Sequence, residues 1–207
     1  MRKKSHISLA KYLVNNMQVQ DLHDHKKAFY LGSILPDIRP SFLTKKHNID
    51  ETFEDLIEEI KKITVDYDIN KGINGYYARH LGVITHYLSD YCTFPHNSIF
   101  TGNFKEHVYY EKDLKNSLKE YVNREDSQRE RTTIKKFVSI EDIIRFIRKT
   151  HKDYLKAIKE VCEDIQFIID MCYRVVDAIL MFFEMAIIKS EDDLVQTYDK
   201  VLEYKHA

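Results

Sequence analysis

The sequence contains no tryptophan, only five glycines and only three prolines among its 207 residues. Glycine and proline favour the tight turns that join β-strands, so their scarcity leaves few positions for hairpins. Lysine, glutamate and leucine, which favour helices, are abundant. A chain of this length can bury a substantial core within one domain. We therefore predict an all-α fold, with residues 1–207 forming a single-domain bundle of several helices.

Long uncharged hydrophobic runs are missing as well. The most apolar stretch, from Ile165 to Ile188, contains four residues that are costly inside a bilayer: Asp170, Arg174, Asp177 and Glu184. We interpret this stretch as a buried bundle helix and predict no transmembrane segment. The basic residues Arg2, Lys3 and Lys4 are followed by apolar positions that Lys11 and two asparagines interrupt, so we expect no secretory signal.

Cysteine is rare and odd in number. Cys92, Cys162 and Cys172 have no Cys-x-x-Cys spacing, which, with the expected lack of a signal, predicts reduced thiols and a cytoplasmic location. Cys92 follows Asp90 by two residues, but no histidine stands at a spacing that would make it the base for this thiol. We therefore assign Cys92 to packing.

The formal net charge is -1, so the whole chain carries no field that would draw it onto nucleic acid. Charged residues are concentrated in 123–138, NREDSQRERTTIKKFV, where no apolar period occurs. We predict that this charged connection is a mobile loop with solvated basic residues. It separates a metal-ligand half, 1–122, from scaffold helices in 139–207. We expect one helix from about Asp21 to Leu35, and separate helices near 161–188 and 191–205.

Histidines and carboxylates cluster between His86 and Glu111, in HYLSDYCTFPHNSIFTGNFKEHVYYE. His86-x3-Asp90 and His107-x3-Glu111 flank His96 in this stretch. On a helix, residues four apart share one face about 6 Å apart, so an imidazole nitrogen and a carboxylate oxygen can reach one ion. The spacing therefore indicates a metal site.

A single pair of this kind arises readily by chance, as His47-x3-Glu51 illustrates, so the indication lies in the clustering. Further candidates stand upstream, in expected turns or helix starts: His6, Asp37 and His47.

Taken in order, these eight residues resemble the ligand series of the zinc-dependent phospholipase C family. That family shares its zinc cluster and all-helical fold with fungal zinc-dependent single-strand nucleases. The resemblance covers about residues 5 to 114 and implies a multi-helix bundle of the family's type that holds two or three zinc ions. By this resemblance, one zinc is held by Asp37, His47, His86 and Asp90. Asp90 bridges to a second zinc that also takes His6, and a third is held by His96, His107 and Glu111.

The resemblance implies hydrolysis of a phosphodiester by a metal-activated water, with Asp90 bridging the zincs and Asp37 orienting or deprotonating the water. A mixture of imidazoles and carboxylates suits this chemistry because it leaves the cluster enough positive charge to bind the diester. The expected substrate is a small phosphodiester or a phospholipid. The alternatives are a single-strand nuclease or nucleotidase, which the net charge does not favour, and a non-catalytic, metal-stabilised helical protein.

The chain departs from the family's secreted members at its start, where a tryptophan gives its amino group and carbonyl to one zinc. Either the Met1 amine replaces that ligand, or the site works without it. We favour the second outcome, because Arg2, Lys3 and Lys4 would bring three positive charges toward a cationic cluster.

Two further histidine motifs have other interpretations. His23-Asp24-His25 is similar to the doublet of the HD-type metal phosphohydrolases, but no earlier histidine and later aspartate pair with it convincingly. His80 lies six residues before His86, on a different helix face, and we assign it a supporting or packing role.

Overall fold

The computed structural model describes the backbone of residues 1–39, 45–131, 137, 139–157 and 159–205, with side chains described as far as residue 190. These residues form helices and turns and contain no strand. The all-α prediction is therefore confirmed. The helices are α1 (Lys3–Met17), α2 (Gln20–Asp24), α3 (Lys26–Ile34), α4 (Ile49–Lys62), α5 (Gly75–Tyr91), α6 (Phe104–Val122), α7 (Ile140–Lys156) and α8 (Val161–Lys205).

Side-chain caps fix the starts of several helices. Asn48 accepts a hydrogen bond from the Glu51 amide at the start of α4, and Ser139 does the same for α7. Asn103 begins α6 with a complete capping box. These caps satisfy amides that have no partner inside the helix, so α4 and α6 begin at defined points next to His47 and His107.

Two predicted helix boundaries were wrong. The helix expected from about Asp21 to Leu35 is divided into α2 and α3 at His25, whose φ of -99° and ψ of 18° are not helical. The break expected near residues 189–190 is absent, since α8 runs through it. A charged run alone does not stop a helix, and α8 contains no glycine or proline.

The part of the charged connection that the structure describes is attached to α8. Arg129 forms an ion pair with Asp170 at 3.3 Å, and Arg131 pairs with Asp177 and Glu184, each at 2.6 Å. Arg129 and Arg131 are therefore paired, which differs from the solvated residues that we expected. Lys135 and Lys136 lie outside the described residues.

Helix α5 lies in the core, where it contacts α3 closely through two glycines. A Cβ atom on Gly32 would lie 2.0 Å from the Arg79 carbonyl oxygen, and one on Gly82 would lie 2.2 Å from the Phe29 carbonyl oxygen. Only residues without a Cβ atom allow this approach. His86, one turn after Gly82, is thereby brought against the end of α3.

Within the part of the chain that the structure describes, no helix is both long and apolar enough to cross a bilayer. Cys92 and Cys172 are buried and Cys162 is exposed, and all three are free thiols.

Candidate metal centre

The eight predicted ligands come from six segments that converge in space. Their donor atoms form three groups, and within each group the atoms lie within 4.8 Å of one another. The groups are His6, Asp37 and His86; His47, His86 and Asp90; and His96, His107 and Glu111. The third group has the membership that the resemblance implies for the third zinc, and the first two share His86.

Asp90 is fully buried at the centre, and its two oxygens face different neighbours. Oδ1 lies 3.4 Å from Nε2 of His6. Oδ2 lies 3.3 Å from Nε2 of His86 and 3.4 Å from Nδ1 of His47. Asp37 lies on the same side as Oδ2 of Asp90, because its Oδ1 is 3.5 Å from Nδ1 of His47. One carboxylate thus lies between His6 on one side and His47 and His86 on the other.

Hydrogen bonds behind the cluster fix which ring nitrogens face inward. Nδ1 of His86 donates to the Ser33 carbonyl at 2.9 Å, so Nε2 of the neutral ring carries the lone pair. The Ser89 hydroxyl donates to the His86 carbonyl and therefore accepts from Nδ1 of His6 at 3.2 Å. Such partners orient metal-ligating histidines. Sequence reasoning missed Ser33 and Ser89, although Ser89 stands three residues after His86.

Two buried atoms in this cluster have no hydrogen-bond partner: Nε2 of His6 and Oδ2 of Asp90. Buried polar groups are rarely left without one. In addition, Nε2 of His86 and Nδ1 of His47 lie 2.9 Å apart, so two ring nitrogens converge on one space. Imidazole and carboxylate donors arranged in this way fit Zn²⁺, which prefers such ligands.

The third group lies nearer the surface. Oε1 of Glu111 is 3.3 Å from Nε2 of His96 and 3.4 Å from Nε2 of His107, and the His107 side chain is 32% exposed. The ring of Phe100 packs edge-on against His107. This group is therefore the part of the cluster that is most accessible to solvent.

The Met1 nitrogen also lies in the cluster, 2.6 Å from Oδ1 of Asp90 and 3.0 Å from Nε2 of His96. This position differs from the arrangement that the charge argument favoured. Of the next three residues, Arg2 reaches the edge of the cluster: its guanidinium lies 4.0 Å from Oε2 of Glu111 and donates to the Val108 carbonyl at 2.9 Å. Lys3 and Lys4 are exposed.

The charges of the cluster shift its pKa values. Burial alone would raise the pKa of Asp90, but the Met1 ammonium and the imidazoles, led by His96, hold it well below its usual range. Burial lowers the pKa of His6 well below its usual value, and burial raises the pKa of Asp37. The shifts of Asp90 and His6 favour an ionised carboxylate and a neutral imidazole, which are the protonation states that ligate metals. The pKa of Asp37 and that of the Met1 ammonium are both raised, so a metal would have to displace a proton from each of these groups.

A cleft of about 320 Å³ opens beside the second group, with His47 in its wall. It is lined by side chains of both charges and by an aromatic ring, including Arg39, Glu58 and Tyr87. A polar ligand can therefore approach the cluster from this side.

The remaining sequence candidates do not join the cluster. Nε2 of His23 lies 3.1 Å from the Lys26 ammonium in an exposed position, and the adjacent Asp24 accepts from Gln20. His80 bonds to Glu59 in a separate buried pair. Cys92 is fully buried, and burial raises the pKa of its thiol well above the usual value.

The fold and the site define an all-α protein with a histidine and carboxylate cluster suited to zinc. The sequence pattern of the family described as zinc dependent phospholipase C matches residues 5–161, which is more than half of the chain. The chain belongs to this family. Searches of the curated proteins and of the solved structures found no match.

Proposed function

We propose that this protein is a zinc-dependent phosphodiester hydrolase of the phospholipase C type, acting on a phospholipid or a related small phosphodiester. The observation that carries the proposal is the position of Asp90, a buried carboxylate between His6 on one side and His47 and His86 on the other. Its Oδ2 has no hydrogen-bond partner. Family membership supports the same reaction class.

The candidate zinc ligands divide into three sets in this proposal. Asp37, His47, His86 and Oδ2 of Asp90 would hold one ion. Oδ1 of Asp90, His6 and the Met1 nitrogen would hold a second ion. His96, His107 and Glu111 would hold the third, more exposed ion. Bound zinc would supply Lewis acidity toward a phosphoryl oxygen and would lower the pKa of a water molecule.

The residues of the chain orient this chemistry. Ser33 and Ser89 fix the rings of His86 and His6 so that their lone pairs face Asp90. Asp37 lies beside the first two sets, with its Oδ2 3.9 Å from Nε2 of His6 and its Oδ1 3.5 Å from Nδ1 of His47. A carboxylate in this position can hold a water by a hydrogen bond or accept its proton. We therefore assign Asp37 to orienting the attacking water or accepting its proton, and Asp90 to holding two ions.

A lipid substrate is favoured over a nucleotide by the surface next to the third set. Phe104, one turn before His107 on α6, is 83% exposed, and Ile99 in the preceding turn is 39% exposed. Apolar side chains at the rim of a catalytic site suit the hydrocarbon part of a lipid ester or a membrane surface. A single-strand nuclease would instead need stacking platforms along a basic groove.

The test combines metal content with substrate choice. We expect purified protein to retain at least two zinc ions per chain and to hydrolyse a phosphocholine ester or phospholipid faster than a single-stranded oligonucleotide. Asp90→Asn should remove this activity. A protein without metal after purification without chelator contradicts the proposal. Preferred cleavage of the oligonucleotide indicates a nuclease, and loaded but inactive protein indicates a structural cluster.

A matched pair of surface variants tests the lipid assignment. Phe104→Ser should lower turnover of phospholipid vesicles while leaving turnover of a soluble short-chain ester unchanged. Val65→Ser is the control, because Val65 is 66% exposed in the turn after α4 and offers the same kind of truncation. Equal vesicle turnover in the two variants contradicts a role for Phe104 in lipid contact.

A further inference from the structure

A fully buried carboxylate on α8 holds two separate segments of the third ligand set. Oδ2 of Asp164 accepts a hydrogen bond from the Phe94 amide at 2.8 Å and another from the Tyr110 hydroxyl at 2.9 Å. Its other oxygen, Oδ1, accepts from the Tyr154 hydroxyl of α7 at 2.7 Å. Asp164 therefore accepts three hydrogen bonds from three different parts of the chain.

The positions of the first two donors connect Asp164 to the metal centre. Phe94 begins the short 3-10 helix Phe94–His96, and Tyr110 directly precedes Glu111 on α6. One oxygen of Asp164 thus binds both the turn that carries His96 and the helix that carries Glu111. The distance between these two ligands depends on where that oxygen lies.

A second contact from the scaffold helices holds the same turn. Nε2 of His151 on α7 donates to Oδ1 of Asn97 at 2.8 Å. The side-chain nitrogen of Asn97, Nδ2, donates to the backbone carbonyls of Tyr91 and Thr93 at 3.1 and 2.9 Å. Since Asn97 follows His96 directly, the turn is fixed on both sides of the ligand.

We propose that Asp164 is a positioning residue for the third metal site, setting the separation of His96 and Glu111 through Phe94 and Tyr110. The inference rests on the proposed function, because it concerns the metal affinity of that ligand set. Asp164 itself does not reach the metal ligands and takes no part in the reaction. It lies beyond residues 5–161, the part of the chain that matches the family.

A purely structural role for Asp164 is the competing explanation, and two tyrosines separate the alternatives. Tyr110 and Tyr154 both donate to Asp164, at 2.9 and 2.7 Å, so Tyr→Phe removes one hydrogen bond to the same carboxylate in each case. Only Tyr110 lies on a helix that carries ligands of the third set. A structural role predicts similar effects of Tyr110→Phe and Tyr154→Phe, whereas a positioning role does not.

The experiment measures zinc release from the full chain by graded concentrations of a chelator, with elemental analysis after dialysis. His107→Ala identifies which ion belongs to the third set. We expect Tyr110→Phe to release that ion at about tenfold lower chelator concentration than wild type, at the lower end of what supporting residues contribute. Tyr154→Phe should release it as wild type does. Absorption spectra of the Co²⁺-loaded proteins should show altered coordination in Tyr110→Phe alone.

The outcomes distinguish this inference from the proposed function. Equal chelator sensitivity in both tyrosine variants, with zinc bound normally by wild type, overturns the positioning role and leaves the proposed function intact. A wild-type protein that binds no metal overturns both.

Discussion

Replacing Asp164 with asparagine should change how stability depends on pH. Burial raises the pKa of Asp164 from 3.8 to about 6, although the Phe94 amide and the two tyrosine hydroxyls, together with the Lys159 ammonium, act in the opposite direction. The group is fully buried, so solvent screens it little. Asparagine has nearly the same shape and does not titrate.

Whether stability rises or falls with pH depends on how many protons the folded and the unfolded protein bind. Between pH 3.8 and about 6 the folded protein keeps the Asp164 proton while the unfolded chain releases it, so the stability from this group falls as pH rises. A shift of this size corresponds to about 3 kcal/mol. We therefore expect wild type to lose about 2 kcal/mol of unfolding free energy relative to Asp164→Asn between pH 4 and pH 7, because part of the effect already lies below pH 4.

Urea denaturation of metal-free protein at several pH values measures this difference. All other titrating groups are common to both proteins and cancel, and Asp113→Asn, an exposed change on α6, controls for loss of a carboxylate. A constant offset between the two plots of unfolding free energy against pH reports the hydrogen bonds that asparagine loses. Only a change of that offset with pH reports the raised pKa of Asp164. Parallel curves for wild type and Asp164→Asn would refute it.

Three other changes test the metal cluster and the contact between α3 and α5. Asp90→Asn should lower turnover at least about tenfold more than Glu111→Gln, because Asp90 faces two ligand sets and Glu111 only one. Even residues that merely support a metal ligand contribute about 10–100-fold to metal affinity or activity. Equal losses of turnover at unchanged metal content contradict this prediction. A tag fused ahead of Met1 turns an ammonium 2.6 Å from Asp90 into an amide, so elemental analysis should find fewer bound ions; an unchanged ratio would favour a site without this ligand. Gly82→Ala should lower Tm, because its Cβ would lie 2.2 Å from the Phe29 carbonyl, and this clash outweighs the about 0.5–1 kcal/mol that alanine adds to a helix.

Much of the candidate site could be predicted from the sequence, because its ligands have local spacing. His86 and Asp90 lie one turn apart on α5, as do His107 and Glu111 on α6, and helical periodicity alone brings each pair together. Grouping these pairs with the upstream residues required the family resemblance. Periodicity does not indicate which distant segments meet.

The supporting contacts were beyond sequence reasoning for that reason. The Ser33 carbonyl and His86 are 53 residues apart, and Asp164 and Tyr110 are 54 apart. A serine carbonyl has no side-chain signature, and an aspartate four residues into a helix resembles an ordinary acidic first turn. The Met1 amine was named as a possible ligand but not favoured, because the charge argument placed the charged side chains of the next residues in the cluster as well. In the structure the backbone amine enters the cluster and the Arg2 guanidinium lies at its edge, 4.0 Å from Glu111, while the side chains of Lys3 and Lys4 remain exposed.

The few glycines have a different role from the one that their scarcity suggested. Scarce glycine excluded a hairpin-rich fold, and that prediction was confirmed. Yet Gly32 and Gly82 lie within helices, where they allow α3 and α5 to approach more closely than any side chain would permit. Because this contact brings the Ser33 carbonyl to Nδ1 of His86, it also fixes the ring nitrogen that faces Asp90. Close helix packing and ligand orientation are therefore set by the same two residues.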